Sequence, residues 1–304
     1  MCFALTECQK MHMFTQMDCQ VPSLAIYFSH GKPGNTHIYY KYIRKERRND
    51  HMNYIQWNYE DELLAGTTLR NPSLPENNNM ALHACMRKED VLSNRDALSQ
   101  ALHIAPSQWT FAMQTHSDHI HEVTAADAGR GYQVYEEGIA DCDALYTKER
   151  NIAIGVFHAD CVPVLLYDPF TGIIAAIHSG WQGTVQEITR KTVSLLIQKE
   201  HVDPAHLMAY IGPAIAYRSF EIQQDVIDRI LAMSFDTSDY LTLLPNGKAI
   251  ADNKGLNMQM LLDLGVARDH ITVNPNDTFL KNDAFFSYRR EPACGRHLSF
   301  ILRK

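Results

Sequence analysis

Apolar residues recur along this chain in two rhythms, and the switching between them predicts alternating strands and helices from Met52 onward. In KEDVLSNRDALSQALHI (88–104), Val91, Leu98 and Leu102 fall on one helical face. VQEITRKTVSLLIQK (185–199) carries Val185, Ile188, Thr192 and Leu196 at the same spacing. IQQDVIDRILAM (222–233) and NKGLNMQMLLDLG (253–265) also predict helices, the second closed by Gly265. NYIQWNYEDELLAGTTLR (53–70) alternates as a strand with its turn, and TFAMQTH (110–116) predicts a short buried strand. NIAIGVFH (151–158), VPVLLYD (162–168) and GIIAAIH (172–178) predict three more, the last two joined by the turn DPFTG. HLMAYIGPAI (206–215) predicts a strand ending at Gly-Pro, and FFSYRR (285–290) and HLSFILR (297–303) predict late strands. The pattern predicts one mixed α/β (α+β) domain over residues 52–304, with buried strands and no internal repeat.

Residues 1–51 break this order. They show no amphipathic period, hold three of the seven cysteines and end in the charged run KYIRKERRNDH. The expectation is an N-terminal extension, poorly ordered against the core, with an N-terminal subdomain as the alternative. Limited proteolysis separates the two, since an extension is cut before Met52.

Composition narrows the function classes. At 45% hydrophobic and 21% charged, the 304 residues are of ordinary globular make-up. A formal net charge of -7 disfavours a general nucleic-acid binder, which carries a basic face. Cys2, Cys8, Cys19, Cys85, Cys142, Cys161 and Cys294 are odd in number and contain no C-x-x-C pair, which points to a reducing compartment. No apolar run reaches the roughly 20 residues that span a bilayer. Without a basic stretch leading into an apolar one at the N-terminus, the expectation is a cytoplasmic protein.

Three residues interrupt the apolar runs in a way that core packing does not ask for. Asp160 and Cys161 stand between two strands, and His178 closes the next. A free cysteine packs readily as a small hydrophobe. A carboxylate in such a run is costly to bury unless it is paired, hydrogen-bonded or near a metal. His116 closes TFAMQTH as His178 closes GIIAAIH, so predicted strand ends offer His, Cys and His. Imidazole and thiolate suit zinc, and three protein ligands with one open position is the catalytic arrangement. The separations of 45 and 17 positions match no short zinc motif, so the cluster depends on the fold uniting distant strand ends. After His178, Ser-Gly-Trp-Gln-Gly-Thr leads into a helix, a turn suited to an anion or substrate. Arg289 and Arg290 beside Tyr288 could clamp a phosphate or carboxylate, or simply edge a solvated strand, and Arg70 has the same standing. His119 and His121 form one H-x-H, read as surface loop residues, where a laccase-type copper cluster needs several such pairs. The chain lacks a Walker loop, G-x-G-x-x-G before a helix, G-x-S-x-G, and the H-x-E with P-C-x-x-C of zinc deaminases.

Further motifs appear in order: QTH (114–116), CDALYT (142–147), HADCVPVLLYDP (158–169), AIHSGWQGT (176–184), IGPAI (211–215), FEI (220–222) and FFSYRR…GR (285–296). Together they resemble the YfiH family, also called laccase-domain or polyphenol-oxidase-like proteins, which includes broad-specificity purine nucleoside phosphorylases. The resemblance runs from Tyr54 to the C-terminus. It implies two β-layers flanked by helices, a four-layer α-β-β-α fold, and a zinc site of His116, Cys161 and His178. The activities it implies are phosphorolysis of adenosine, inosine and methylthioadenosine, and deamination of adenosine. Copper-dependent phenol oxidation is attributed to some relatives, so copper is the alternative metal and a non-catalytic zinc protein, closed by His158, the non-enzymatic alternative. The partners implied are purine nucleosides and phosphate. Asp160 is the candidate general base, provided a bulge turns it to the metal's side, since regular alternation points it opposite to Cys161. Arg289 is the candidate phosphate residue. The sequence departs from the family where LAGTTLR (64–70) replaces HGFSTR and where Gln182 replaces a commoner Arg, which bears on substrate preference rather than the metal ligands.

Overall fold

The computed structural model describes residues 53–304 apart from 58 and 60, and upstream the backbones of β1 (Leu24–Phe28), β2 (Ile38–Tyr42) and β3 (Arg48–Asn49). Outside those three strands, the expected extension over residues 1–51 lies outside the described residues. The chain continues through β4 (Tyr54–Trp57), β5 (Leu63–Thr68), α1 (Lys88–Leu102), β6 (Trp109–Phe111), β7 (Ile120–Glu122), β8 (Ala144–Thr147) and β9 (Ala153–His158). Next come β10 (Val162–Tyr167), β11 (Ile174–Ser179), α2 (Trp181–Val185), α3 (Ile188–Glu200), β12 (Met208–Ile211), β13 (Glu221–Ile222) and α4 (Gln224–Leu231). The last elements are β14 (Leu241–Leu243), β15 (Ala249–Ala251), α5 (Asn253–Asp263), β16 (Ile271–Val273) and β17 (His297–Arg303).

Two six-stranded mixed sheets carry the architecture, in the orders β3-β4-β5-β17-β9-β6 and β16-β12-β10-β11-β8-β7. Side-chain alternation decides how they stack. From the first sheet Ala65, Ile154, Val156 and Ile301 meet Leu145, Leu165, Ile174 and Ala176 of the second, forming a core between the sheets. The opposite face of the second sheet, with Val164, Leu166, Ala175 and Ile177, packs on Ile188, Val193 and Leu196 of α3 and Leu261 of α5. The outer face of the first packs Leu64, Phe157 and Phe300 against Leu98 and Leu102 of α1. The result is α-β-β-α in four layers. Because β9, β10 and β11 are buried along their whole length on both faces, they read as unbroken apolar runs.

Several elements depart from the sequence pattern. β9 and β10 are consecutive but belong to different sheets, so residues 159–161 cross from one layer to the other. The strand expected over 110–116 stops at Phe111. Beyond it the Gln114 side chain donates to Phe157 O at 2.8 Å and accepts from Phe157 N at 2.7 Å, substituting for a backbone ladder. The helix expected over 185–199 is broken at Glu187, whose φ is 59°, into α2 and α3. FFSYRR is a turn rather than a strand, because the Arg290 guanidinium gathers the carbonyls of Thr278, Phe279 and Phe285. His121 lies in β7, not in a loop.

Candidate metal centre and its cavity

The register of β10 on β11 sets the first pair of candidate ligands. Val162 lies opposite Ser179, so Cys161, one position earlier, comes opposite Gly180. His178 follows Ile174 and Ala176 on the inner face of β11, at the end where core packing stops. His116 arrives from the loop after β6 with a φ of 61°. Ligand atoms of His116, Cys161 and His178 lie within 4.8 Å of one another, the one such group of His, Cys, Asp or Glu among the described residues. Cys161 Sγ is 3.9 Å from His116 Nε2. A Cβ at Gly180 would stand 2.9 Å from both Cys161 Sγ and His116 Cδ2, so closeness of the ligands, not backbone strain, calls for glycine there.

Sequence reasoning missed the residue that organises this group. Asp143 Oδ1 accepts from His178 Nδ1 at 2.8 Å. Its Oδ2 accepts from the backbone N–H groups of Thr115 and Ser117, on either side of His116, at 3.0 and 2.8 Å, and from Ser117 Oγ at 2.9 Å. One buried carboxylate therefore positions both imidazoles. With Nδ1 committed to Asp143, the Nε2 lone pair of His178 is the one left for an ion. Burial alone would raise the Asp143 pKa, but the hydrogen bond and charge of His178 and the two N–H groups bring it down to about 2. The signal was present in CDALYT: a buried carboxylate needs a partner, as argued for Asp160.

Electrostatics within the group favour the thiolate form of Cys161. Burial would raise the Cys161 thiol, yet the neighbouring His178 charge and hydrogen bonds from His116 and His178 pull it down to about 6. Burial would likewise lower His178, but Cys161 and Asp143 raise it. The thiolate is the form that ligates a metal.

The group opens onto a cavity of about 490 Å³, within the range of small-molecule sites. Phe157, Trp181, Ile215 and Phe220 give it apolar surface, while His83, Asn253, Arg289 and Arg296 give it polar groups. Only Arg289 of that set was singled out from the sequence. The Asp160 carboxylate also lines the cavity, with a backbone φ of 82°. Its Oδ1 accepts from Thr278 Oγ1 at 2.6 Å, and its Oδ2 from Ser287 Oγ at 2.9 Å and Arg289 N at 2.7 Å. His158 lines the cavity outside the ligand group. Its Nε2 is 2.8 Å from Ser299 Oγ, its Nδ1 is buried without a partner, and burial holds it neutral. His119 and His121 pair with Asp141 and Asp127. Arg290 is tied to carbonyls as described, and Arg70 donates to Asn282 O at 2.8 Å, so neither lines the cavity.

Fold and site together define a mixed α/β protein with a His-Cys-His group in the wall of a ligand-sized cavity. Residues 67–304 match the family described as multi-copper polyphenol oxidoreductase laccase, and the chain belongs to that family, the YfiH proteins. It is 32% identical over 245 residues to purine nucleoside phosphorylase YlmD of Bacillus subtilis (strain 168), covering 79% of this chain and 88% of that protein. A crystal structure of Bacillus licheniformis hypothetical protein YfiH superposes with a TM-score of 0.81 at 32% identity, over 84% of this chain and 98% of that one. YlmD from Geobacillus stearothermophilus superposes with a TM-score of 0.80 at 29% identity, over 86% and 99%. No helix among the described residues is long and apolar enough to cross a membrane.

Proposed function

We propose that this chain is a zinc-dependent purine nucleoside phosphorylase acting on adenosine, inosine and methylthioadenosine, with adenosine deaminase activity. The observation that carries the reading is the convergence of His116, Cys161 and His178 on a cavity of about 490 Å³, without a fourth ligand in the group among the described residues. The names of the similar proteins supply the reaction class. The donor set fits zinc: a thiol already biased to thiolate, and an imidazole held by Asp143 through Nδ1, with Nε2 turned to Cys161. Zinc held there supplies Lewis acidity at the cavity wall.

The remaining steps fall to the chain's own residues. Trp181 and Phe220 offer aromatic surface to a purine face. In phosphorolysis a phosphate oxygen bonds to C1′ as the C–N glycosidic bond breaks, and the departing purine takes up that electron pair and a proton. Arg289 supplies positive charge for the phosphate. Asp160 has both carboxylate oxygens engaged, which favours a role in holding Thr278, Ser287 and Arg289 in place over the role of general base first expected of it.

Product analysis after incubation with adenosine, with and without phosphate, tests this. Free adenine appearing only with phosphate, and inosine in either case, is expected, and Cys161→Ala abolishes both. Normal turnover by that variant overturns the ligand assignment. A copper-dependent phenol oxidase is the second reading, supported by the family's description. It requires O₂, so activity under strict anaerobiosis removes it. The non-catalytic reading needs a closed site, and His158, the ligand it would use, lies outside the His116, Cys161 and His178 group.

A further inference from the structure

Two guanidinium groups line the cavity, and both are fixed in the same unusual way. Arg289 donates through Nη1 to Glu221 O at 2.9 Å, with its guanidinium carbon 5.6 Å from the Phe220 ring centre. Arg296 donates through Nη1 to Cys294 O at 2.5 Å and Gly295 O at 3.1 Å, and lies 5.5 Å from the Tyr288 ring centre. In both, one nitrogen is spent on backbone carbonyls and the flat face rests on an aromatic ring. Both leave the Nε and Nη2 edge without a partner among the described residues, the edge that grips two oxygens of a phosphate. Neither guanidinium forms an ion pair with a described carboxylate, in a chain whose formal charge is -7.

A third cation stands behind the wall. Arg95, 2% exposed, spends its donors on the carbonyls of Met80, Gly131 and Tyr132. Its guanidinium carbon is 5.0 Å from the ring centre of Phe157, the residue between it and the cavity. A buried positive charge without a counterion among the described residues adds to the positive potential inside.

Resting on the phosphorylase reading above, we infer that Arg296 completes the phosphate subsite with Arg289, and that Tyr288 and Phe220 are the platforms that hold the two forks ready. Tyr288, 54% exposed, is then explained as a support for Arg296 rather than as a stray surface aromatic.

The test is equilibrium binding of inorganic phosphate to the full chain by titration calorimetry, alongside the KM for phosphate and for nucleoside. Arg296→Gln and Arg289→Gln each weaken phosphate binding by about 10- to 100-fold, the worth of one charge-assisted hydrogen-bond pair. Arg296→Lys loses less, since it keeps the charge without the fork. In turnover the KM for phosphate rises while that for nucleoside stays within about two-fold. Phosphate binding by Arg296→Gln equal to that of the parent overturns the inference. Should that variant fail to fold, Tyr288→Leu at the exposed platform serves instead, and unchanged phosphate binding there overturns it equally. A parent protein that binds phosphate in this manner but releases no base from nucleosides keeps the subsite and removes the phosphorylase reading. A parent protein that binds no phosphate at millimolar concentration removes the subsite, whatever its activity.

Discussion

Asp143→Asn is the most informative single change, because it alters no candidate ligand yet disturbs two of them. The carboxylate faces donors on both sides: His178 Nδ1 on one oxygen, and the Thr115 and Ser117 N–H groups on the other. An amide has one accepting atom, so in either orientation its NH₂ confronts a donor. For the protein without metal, the Asp143 pKa of about 2 against a reference of 3.8 corresponds to roughly 2 kcal/mol of stability. The sign follows from the depression. This stability is complete above the unfolded value and is lost as pH falls through the folded one. The variant should therefore lose about 2 kcal/mol at neutral pH and show a shallower stability loss between about pH 4 and 2. Metal affinity should fall by about 10- to 100-fold, the usual effect of losing the carboxylate behind a ligating imidazole. Denaturant melts across pH, and metal competition against a chromophoric chelator, measure the two effects. A folded variant with parental metal affinity refutes the claim that Asp143 organises the imidazoles.

Other outcomes follow from the same geometry. Gly180→Ala places a methyl 2.9 Å from Cys161 Sγ, so metal content should drop sharply while far-ultraviolet circular dichroism stays native. In metal-stripped protein the Cys161 thiol, brought down to about 6, should be alkylated fast above that pH and slow below it, whereas the unfolded chain should show the ordinary thiol value. A midpoint near the unfolded value removes the thiolate argument. Asp160→Ala releases three hydrogen bonds to a buried carboxylate and should cost roughly 3 kcal/mol of stability. If Asp160 only positions its neighbours, Asp160→Asn leaves the shape of the pH–rate profile intact, and loss of the acid limb instead restores it as a base.

Legibility in the sequence varied with how local the cause was. β10 and β11 could be placed within a residue or two, because strands buried on both faces leave unbroken apolar runs. Gly265, at a φ of 91°, marked the end of α5 as read. The break at Glu187 and the turn at FFSYRR could not be read, since a side chain or a left-handed residue imposes each against the local pattern. Of the site, His116, Cys161 and His178 were visible as interruptions of apolar runs, but their meeting depends on the β10–β11 register and on Asp143. Arg296 was visible only as the end of a motif. Its use depends on a ring eight positions earlier and carbonyls at its own turn.

The crossing at residues 159–161 gives the centre a mechanical consequence. His116 follows a segment clamped by Gln114 to β9 of one sheet, while Cys161 and His178 adjoin or belong to β10 and β11 of the other. An ion shared among them would be a rivet through both layers, which could not slide apart without withdrawing it. At a free ion concentration 100 times the dissociation constant, that rivet is worth about 2.7 kcal/mol against unfolding. The melting temperature of this protein should thus act as a gauge of metal supply, with chelation first loosening the seam between the two sheets.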